Sequence, residues 1–109
     1  MGDLLKSQFV TITDGSSTTV CTGANIASTI LTVTLCNEHA TNAETFSMSV
    51  IDSSDSNAEY FIYKDQPLPG YSTFEHSDKI VLDNGDTLKI DPGSAGEIDV
   101  YVSYLEQTT

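Results

Sequence analysis

The 109-residue sequence contains no tryptophan, no arginine and four lysines, whereas aspartate and glutamate together number 16. The formal net charge at pH 7 is therefore −12. Nucleic acids require a basic protein surface, and anionic membranes attract lysine and arginine, so this charge argues against both kinds of partner. Such an acidic balance favours solubility, or a partner whose surface is positively charged.

Long hydrophobic runs are also missing. No segment approaches the ~20 consecutive apolar residues of a transmembrane helix. The first residues, MGDLLKSQF, lack the basic stretch and apolar run of a signal peptide. We therefore expect synthesis in a reducing cytoplasm, with Cys21 and Cys36 as free thiols. A separation of 15 positions leaves a bridge between neighbouring strands as the alternative.

Motifs that carry chemistry are absent as well. The chain has no HExxH, no CxxC and no GxSxG, and its glycines never form a run that could cradle a phosphate. His39 and His76 fall among polar residues, and we expect both to be solvated in loops. The sequence therefore predicts no catalytic residues, no cofactor and no bound metal, and the protein is not expected to be an enzyme.

Acidic residues that bracket turns are the nearest approach to a metal site. The loop from Asp52 to Asn57, together with Glu59, could offer oxygen ligands to calcium, but it lacks the Asp-x-Asp-x-Asp-Gly order of a calcium loop. Asp83 and Asp86 flank an Asn-Gly turn in the same way. Aspartate is common at turns because it hydrogen-bonds the nearby backbone, so turn formation is the preferred interpretation of both segments.

The pattern that is present is alternation of apolar and polar residues. Residues 29–52 carry two alternating arms, TILTVTLCN and TFSMSVID, joined by EHATNAE. The side chains expected to face inward are Leu31, Val33 and Leu35 in the first arm and Phe46, Met48 and Val50 in the second. Alternation of period two indicates a strand with one buried and one exposed face, because successive side chains leave a strand in opposite directions. Two such arms with a short polar connector predict an antiparallel hairpin, around which the rest of the chain is arranged.

Similar short segments fill the remainder of the chain. A first hairpin is expected just ahead of residues 29–52, and Asn84-Gly85 predicts a turn between two apolar arms. In the first segment either Phe9, or Val10 with Ile12, faces inward. Pro67 and the second proline two residues later place 65–70 at a sheet edge or between sheets. The expected strands outside the central pair are 8–13, 18–22, 59–64, 71–75, 79–82, 87–90 and 97–105.

Eight or nine short strands separated by turns predict an all-β chain folded as a single-domain antiparallel β-sandwich, with the jelly roll as one option. Residues 1–7 are expected to form an N-terminal arm ahead of the domain at 8–109. Tyrosines could form a sugar-binding patch, but without tryptophan their packing in the core or at an interface is preferred. The residues predicted to contact a partner are Leu4, Leu5, Tyr60, Tyr63 and Tyr71.

The order of several segments resembles small virion structural proteins of tailed bacteriophages. In that family a strand ending in I-x-I-C-N precedes an alternating strand, an I-x-x-x-x-P-L segment follows, and L-x-x-G-D-x-I-x-V comes before the last strand. The resemblance covers about residues 18–106 and departs from the family at Tyr104, where a glycine is usual. The corresponding residues are Val33, Leu35, Cys36, Asn37, Ile62, Pro67, Leu68, Leu82, Gly85, Asp86, Leu88 and Ile90.

This resemblance implies a virion component that decorates or cements the capsid. Its partners would be the major capsid protein, copies of itself, or both, with no nucleic acid and no membrane. A tail, baseplate or fibre component is the alternative within the same family. A carbohydrate- or receptor-binding β-sandwich outside the phage setting is the second alternative.

Overall fold

The computed structural model describes residues 2–39, 44–93 and 97–108, and the chain in these ranges is built almost entirely of β-strands. A short 3₁₀ turn at Ser53–Asp55 is the one helical element among them. No helix in the described ranges is long and apolar enough to cross a membrane. The strands are β1 (Asp3–Ile12), β2 (Thr18–Thr22), β3 (Ala27–Asn37), β4 (Glu44–Asp52), β5 (Ala58–Leu68), β6 (Thr73–His76), β7 (Ile80–Asp83), β8 (Thr87–Pro92) and β9 (Ile98–Gln107).

The strands form two sheets in which every pairing is antiparallel. The first sheet has the order β1-β9-β3-β6, with β7 also paired to β3, and the second has the order β2-β8-β4-β5. Strand β6 lies opposite residues 33–36 of β3 and β7 lies opposite residues 27–30, so the two act as one interrupted strand. Each sheet thus has four strand positions, and most consecutive strands of the chain lie in different sheets. Two packed antiparallel sheets connected in this way form a jelly roll. The predicted all-β sandwich is confirmed.

Two predicted hairpins are wrong, because the strands of each are divided between the sheets. Strand β3 belongs to the first sheet and β4 to the second, and β1 and β2 are separated in the same way. The strands on either side of the Asn84-Gly85 turn, β7 and β8, also lie in different sheets. Strands β4 and β5, which follow each other in the chain, do pair. Alternation shows that one face of a strand is buried, but either partner sheet can bury that face, so the pattern does not select the neighbour.

The core lies between the sheets and is filled by the predicted inward positions. Val33 and Leu35 of β3 pack with Phe46 and Met48 of β4, and all four side chains are fully buried. A register shift in β3 between Ile30 and Thr32 changes which side chains face inward. As a result Ile30 is buried, and Leu31 joins the outer face instead of the inner one.

The segment expected to be a separate N-terminal arm is part of the first sheet. Residues 3–7 belong to β1, whose register with β9 runs without interruption from Asp3 opposite Gln107 to Ile12 opposite Ile98. Polar contacts hold this end, since Lys6 lies 3.3 Å from a carboxylate oxygen of Glu106. The sequence did not indicate a strand at residues 3–7 because all five side chains are exposed, so apolar and polar residues do not alternate there.

Strand β5 continues through Pro67 and lies at the edge of the second sheet. A sheet edge was one of the two positions expected for residues 65–70. The Asn84-Gly85 turn is also present, with Gly85 at a φ of 94° that favours glycine. Gly23 packs against this turn, because a Cβ at position 23 would lie 2.1 Å from the carbonyl oxygen of Asp83. The turn is thereby fixed to the loop between β2 and β3.

Candidate interaction surface

The outward side of the first sheet carries an apolar surface, here called the outer apolar face. Paired residues point to the same side of a sheet, and the register places Phe9 opposite Tyr101 and Leu5 opposite Leu105. Leu5 and Phe9 are each 73% exposed. Uncharged hydroxyl side chains surround these residues. The face consists of Leu5, Ser7, Phe9, Thr11, Thr29, Leu31, Thr32, Thr34, Cys36, Tyr101, Ser103 and Leu105.

The centre of the face is a stacked aromatic pair between two depressions. The rings of Phe9 and Tyr101 have centroids 4.7 Å apart and are tilted by 37°. On one side of the pair a depression of about 370 Å³ is lined by Thr34, Cys36 and Asp99 among others. On the other side a depression of about 420 Å³ includes Leu5, Leu31 and Ser103. Exposed aromatic and aliphatic groups in contact with each other are typical of protein interaction surfaces.

Every charged residue that the strand register places on this side is acidic. Asp3, Glu75, Asp83 and Asp99 lie around the apolar centre, opposite Gln107, Thr34, Ala27 and Cys36 respectively. Acidic groups lie close together beside Asp99, where a hydrogen bond to Asp99, desolvation, and the charges of Asp99 and Glu97 raise the pKa of Glu38. Together these residues form an acidic rim: Asp3, Glu38, Glu75, Asp83, Glu97 and Asp99.

The outward side of the second sheet has a different electrostatic character. Lys89 lies 3.1 Å from Glu59, whose carboxylate also accepts a hydrogen bond of 2.7 Å from Ser49. The hydrogen bond from Ser49, followed by the one from Lys89, lowers the pKa of Glu59. Lys64 lies over the ring of Phe61, 4.3 Å from its centroid. Lys64, Lys89 and Glu59 on this side therefore have partners within the chain. Asp99 of the acidic rim accepts a hydrogen bond of 2.7 Å from the hydroxyl of Thr11, but neither ion pair of the described residues involves the rim.

The predicted contact residues do not form one patch. Leu4 and Leu5 lie on β1 and are 48% and 73% exposed, while Tyr60 lies on β5 in the other sheet. The hydroxyl of Tyr60 donates a hydrogen bond of 2.8 Å to Asp55, and this bond raises the pKa of the phenol. Tyr71 lies in the turn between β5 and β6 and is 73% exposed. Leu5 is the one of the five that belongs to the outer apolar face.

Tyr63 is partly buried and packs inward. Its ring meets Phe74 edge-on at 4.9 Å and lies 6.3 Å from Phe46, and it packs against the core. Its hydroxyl is 2.8 Å from Nδ1 of His76. The ring of Tyr63 therefore contributes to the core, and its contact with a partner stays a prediction.

His76 corrects the prediction of two solvated loop histidines. It lies in β6 opposite Val33, with a buried side chain whose Nε2 has no hydrogen-bond partner. The alternation of β6 places it beside Phe74 on the inner side, a pattern too short to distinguish from a polar loop in the sequence. His39 is half-buried, and its backbone N–H donates to the side-chain oxygen of Asn37.

The acidic loop after β4 directs its oxygens to separate partners. Asp52 accepts hydrogen bonds from the N–H and the hydroxyl of Ser54, while Asp55 accepts one from Tyr60 and Glu59 is held by Lys89. No group of three His, Cys, Asp or Glu side chains within the described ranges is placed to hold a metal ion. The predicted role of Asp52 as a turn residue agrees with this geometry.

Both cysteines are free thiols, as expected in preference to a bridge between them. Cys21 lies in β2 of the second sheet and Cys36 in β3 of the first. Burial raises the pKa of the Cys21 thiol to about 11. Cys36 is half-buried and belongs to the outer apolar face, where it lines the depression beside Phe9 and Tyr101.

The sequence could have indicated the centre of this face only in part. The alternation of the last strand places Tyr101 outward with Asp99 and Ser103, and this is what the structure has. The sequence is compatible with either orientation of Phe9, and the structure turns Val10 and Ile12 inward and Phe9 outward. Leu31 was missed because the register shift in β3 leaves no mark in the sequence.

No protein-family model matches this chain, and no curated protein sequence matches it. Solved structures do resemble it. A chain of the acidic stable capsid structure of Helicobacter pylori bacteriophage KHP30 has a TM-score of 0.56 and 12% identity, over 98% of this chain and 89% of that one. A chain of the cyanophage Pam1 capsid asymmetric unit has a TM-score of 0.50 and 21% identity, over 95% and 84%.

The same fold occurs outside capsids. The nucleoplasmin-like N-terminal domain of Drosophila FKBP39 has a TM-score of 0.54 and 9% identity, over 98% of this chain and 94% of that domain. At such identities the likeness shows that the fold is shared, and it does not show that any activity is shared. What the chain does must therefore be argued from its surfaces.

Proposed function

We propose that the protein is a non-enzymatic virion structural protein that binds the outer surface of a phage capsid and reinforces it, as a decoration or cement protein. The observation that carries the proposal is the outer apolar face, an exposed surface with an aromatic centre and an acidic rim. The likeness to chains from two phage capsids over almost the whole length supports the setting. The phage motifs in the sequence point the same way.

The chemistry of the face specifies the partner surface. Leu5, Phe9 and Tyr101 would be removed from water on docking, and burial of apolar area is the main favourable term in protein association. The surrounding carboxylates, of which Asp99 and Glu75 are two, require lysine or arginine on the other side. The expected partner is therefore a region of the major capsid protein that is apolar at its centre and basic around it.

Attachment to capsids tests the proposal. Capsids of the parent phage that lack the protein are mixed with purified protein, and the bound amount and the temperature of capsid disruption are measured. Binding at a fixed ratio with a raised disruption temperature is expected. Tyr101→Ser should weaken attachment, because it removes the centre of the face, whereas Phe61→Ser on the opposite sheet is the matched control and should not.

Two results would contradict this function. Labelled protein found only at the tail tip of assembled particles would indicate a tail, baseplate or fibre component. Specific binding on a glycan array, lost on replacing Tyr60 or Tyr71, would indicate a carbohydrate-binding module. Circular dichroism of each variant checks that the strand content is retained.

A further inference from the structure

Strand β1 is an unprotected edge. Of the other edge strands, β2 is five residues long and has a register shift between Thr19 and Cys21, and β6 and β7 have four residues each. Strand β5 carries Pro67, two register shifts and Asp65 at a φ of 49°. Short length, bulges, charges and proline are the usual means by which edges avoid pairing with another chain. Strand β1 has ten residues in uninterrupted register and no proline, and its central charge, Lys6, is paired with Glu106 of β9.

The hydrogen-bonding direction of β1 follows from its first pair. The N–H of Thr108 donates to the carbonyl oxygen of Gly2 at 3.2 Å, so residues 2 and 108 form a hydrogen-bonded pair. Such pairs alternate along an antiparallel ladder, so the even-numbered residues of β1 bond to β9. The odd-numbered residues, from Asp3 to Thr11, direct their N–H and C=O groups to the open edge of the sheet.

The side chains of β1 are arranged almost symmetrically about Ser7. Leu4 and Leu5 precede the polar Lys6, and Gln8 is followed by an apolar pair, so the sequence LLKSQFV has the same chemistry in both directions. We propose that β1 pairs antiparallel with β1 of a second copy of this chain, about a two-fold axis at Ser7. This register places Leu5 opposite Phe9 of the second copy, and it uses the odd-numbered backbone groups.

Charge also favours this register. Strand β1 carries one acidic residue, Asp3, which this register places opposite Thr11 of the second copy, and one basic residue, Lys6, which already pairs with Glu106. A two-fold axis at Lys6 would place two lysines directly opposite each other, which destabilises a strand pair. The axis at Ser7 places Lys6 opposite the neutral Gln8.

The dimer would present two outer apolar faces on the same side, because its axis is perpendicular to the extended sheet. Only this consequence rests on the proposed function: two linked faces would bind a capsid more tightly than one. The pairing itself is argued from β1 alone. It is therefore tested on purified protein in the absence of capsids, and its failure would leave the attachment test with Tyr101→Ser unaffected.

A charge exchange tests the register. Sedimentation equilibrium of the unmodified protein should show a dimer. Leu5→Lys alone and Phe9→Glu alone should each weaken the dimer roughly tenfold or more, since each replaces two apolar cross-strand contacts. The double variant should recover most of this loss, because each new lysine lies opposite a glutamate of the second copy. A protein that stays monomeric up to about 1 mM, or a double variant no tighter than the single ones, would overturn the proposal.

Cross-linking gives a second measurement that does not depend on affinity. In a Cys36→Ser background, Ser7→Cys should form a disulfide-linked dimer on oxidation, because hydrogen-bonded pairs have Cα atoms about 5.5 Å apart. Ser103→Cys, which lies on the same face one strand further in, is the matched control and should not. Ser7→Pro should abolish the dimer yet keep the β9 ladder, since it removes an outward N–H. Equal cross-linking at both positions would contradict the pairing.

Discussion

The carboxylate of Asp86 accepts hydrogen bonds from the backbone N–H and the hydroxyl of Ser53, at 2.9 and 3.0 Å. Its other oxygen accepts a bond of 3.2 Å from the N–H of Asp83. Asp86 is buried, and it joins the end of β4 to the turn by which the chain crosses from β7 to β8. One side chain thus connects the two sheets at a point where no strand pairing does.

Replacing Asp86 by alanine should lower the free energy of unfolding by about 2 kcal/mol, because three part-buried donors lose their acceptor at once. Ser53→Ala removes a single hydroxyl bond and should cost about 1 kcal/mol. Urea denaturation followed by circular dichroism measures both values. Equal costs for the two variants would mean that the carboxylate does not connect the sheets as described.

The pair of Tyr63 and His76 allows a test of a buried polar contact. Tyr63→Phe should destabilise the fold by about 1–2 kcal/mol, because the buried imidazole then loses its Nδ1 partner while Nε2 already lacks one. The double variant Tyr63→Phe with His76→Phe should cost less than Tyr63→Phe alone, since no buried polar group is left unpaired. A double variant that is less stable than both single variants would contradict this account.

Cys21 should give the fold a dependence on alkaline pH. Burial raises the pKa of its thiol from 9.0 to about 11, so the folded state favours the protonated form. The resulting stability is fully present below about pH 9 and is lost as the pH rises through 11. Denaturation across this range, compared with Cys21→Ala, should show a steeper decline for the unmodified protein.

Thiol labelling gives the complementary measurement for the cysteines. At about pH 8 a thiol reagent should modify Cys36 quickly and leave Cys21 unmodified until the protein unfolds, because a buried thiol is protonated and inaccessible. Cys36→Ser should then show no fast reaction. Rapid modification of Cys21 in the folded protein would place β2 in a different environment from the one described.

The sequence predicted which residues are buried better than it predicted which strands pair. Val33, Leu35, Phe46 and Met48 are buried as their alternation required, since period two depends only on the local backbone. The supposed hairpin of residues 29–52 is instead a crossing between sheets. Pairing depends on long-range packing of all nine strands, and no single segment contains that information.

The candidate surface was predictable to a similar extent. Tyr101 is outward because its strand alternates regularly, but Leu31 became outward through a register shift that depends on the pairing of β3 with β9. Leu5 was selected for its apolar character, and the structure adds that it lies on a paired strand beside Phe9. Spatial proximity across strands is a property of register, so the face as a whole emerges only in the fold.

Glu38 should make the free protein less stable at neutral pH. Its hydrogen bond to Asp99, and the charges of Asp99 and Glu97, raise its pKa above the ordinary value of 4.5. The associated stability is full below pH 4.5 and is lost as the pH rises through the folded-state pKa. Glu38→Gln should therefore unfold at a higher temperature than the unmodified protein at pH 7, and at the same temperature in acid.

The same substitution should have the opposite effect on capsid attachment. A basic partner would favour the ionised form of Glu38, so Glu38→Gln should weaken attachment at pH 7 while stabilising the free protein. Added salt should weaken attachment of the unmodified protein more than that of the variant, because salt screens exposed charges beyond ~8 Å at physiological ionic strength. Attachment that is equal for both proteins, and insensitive to salt, would mean that apolar contacts at Phe9 and Tyr101 act without the acidic rim.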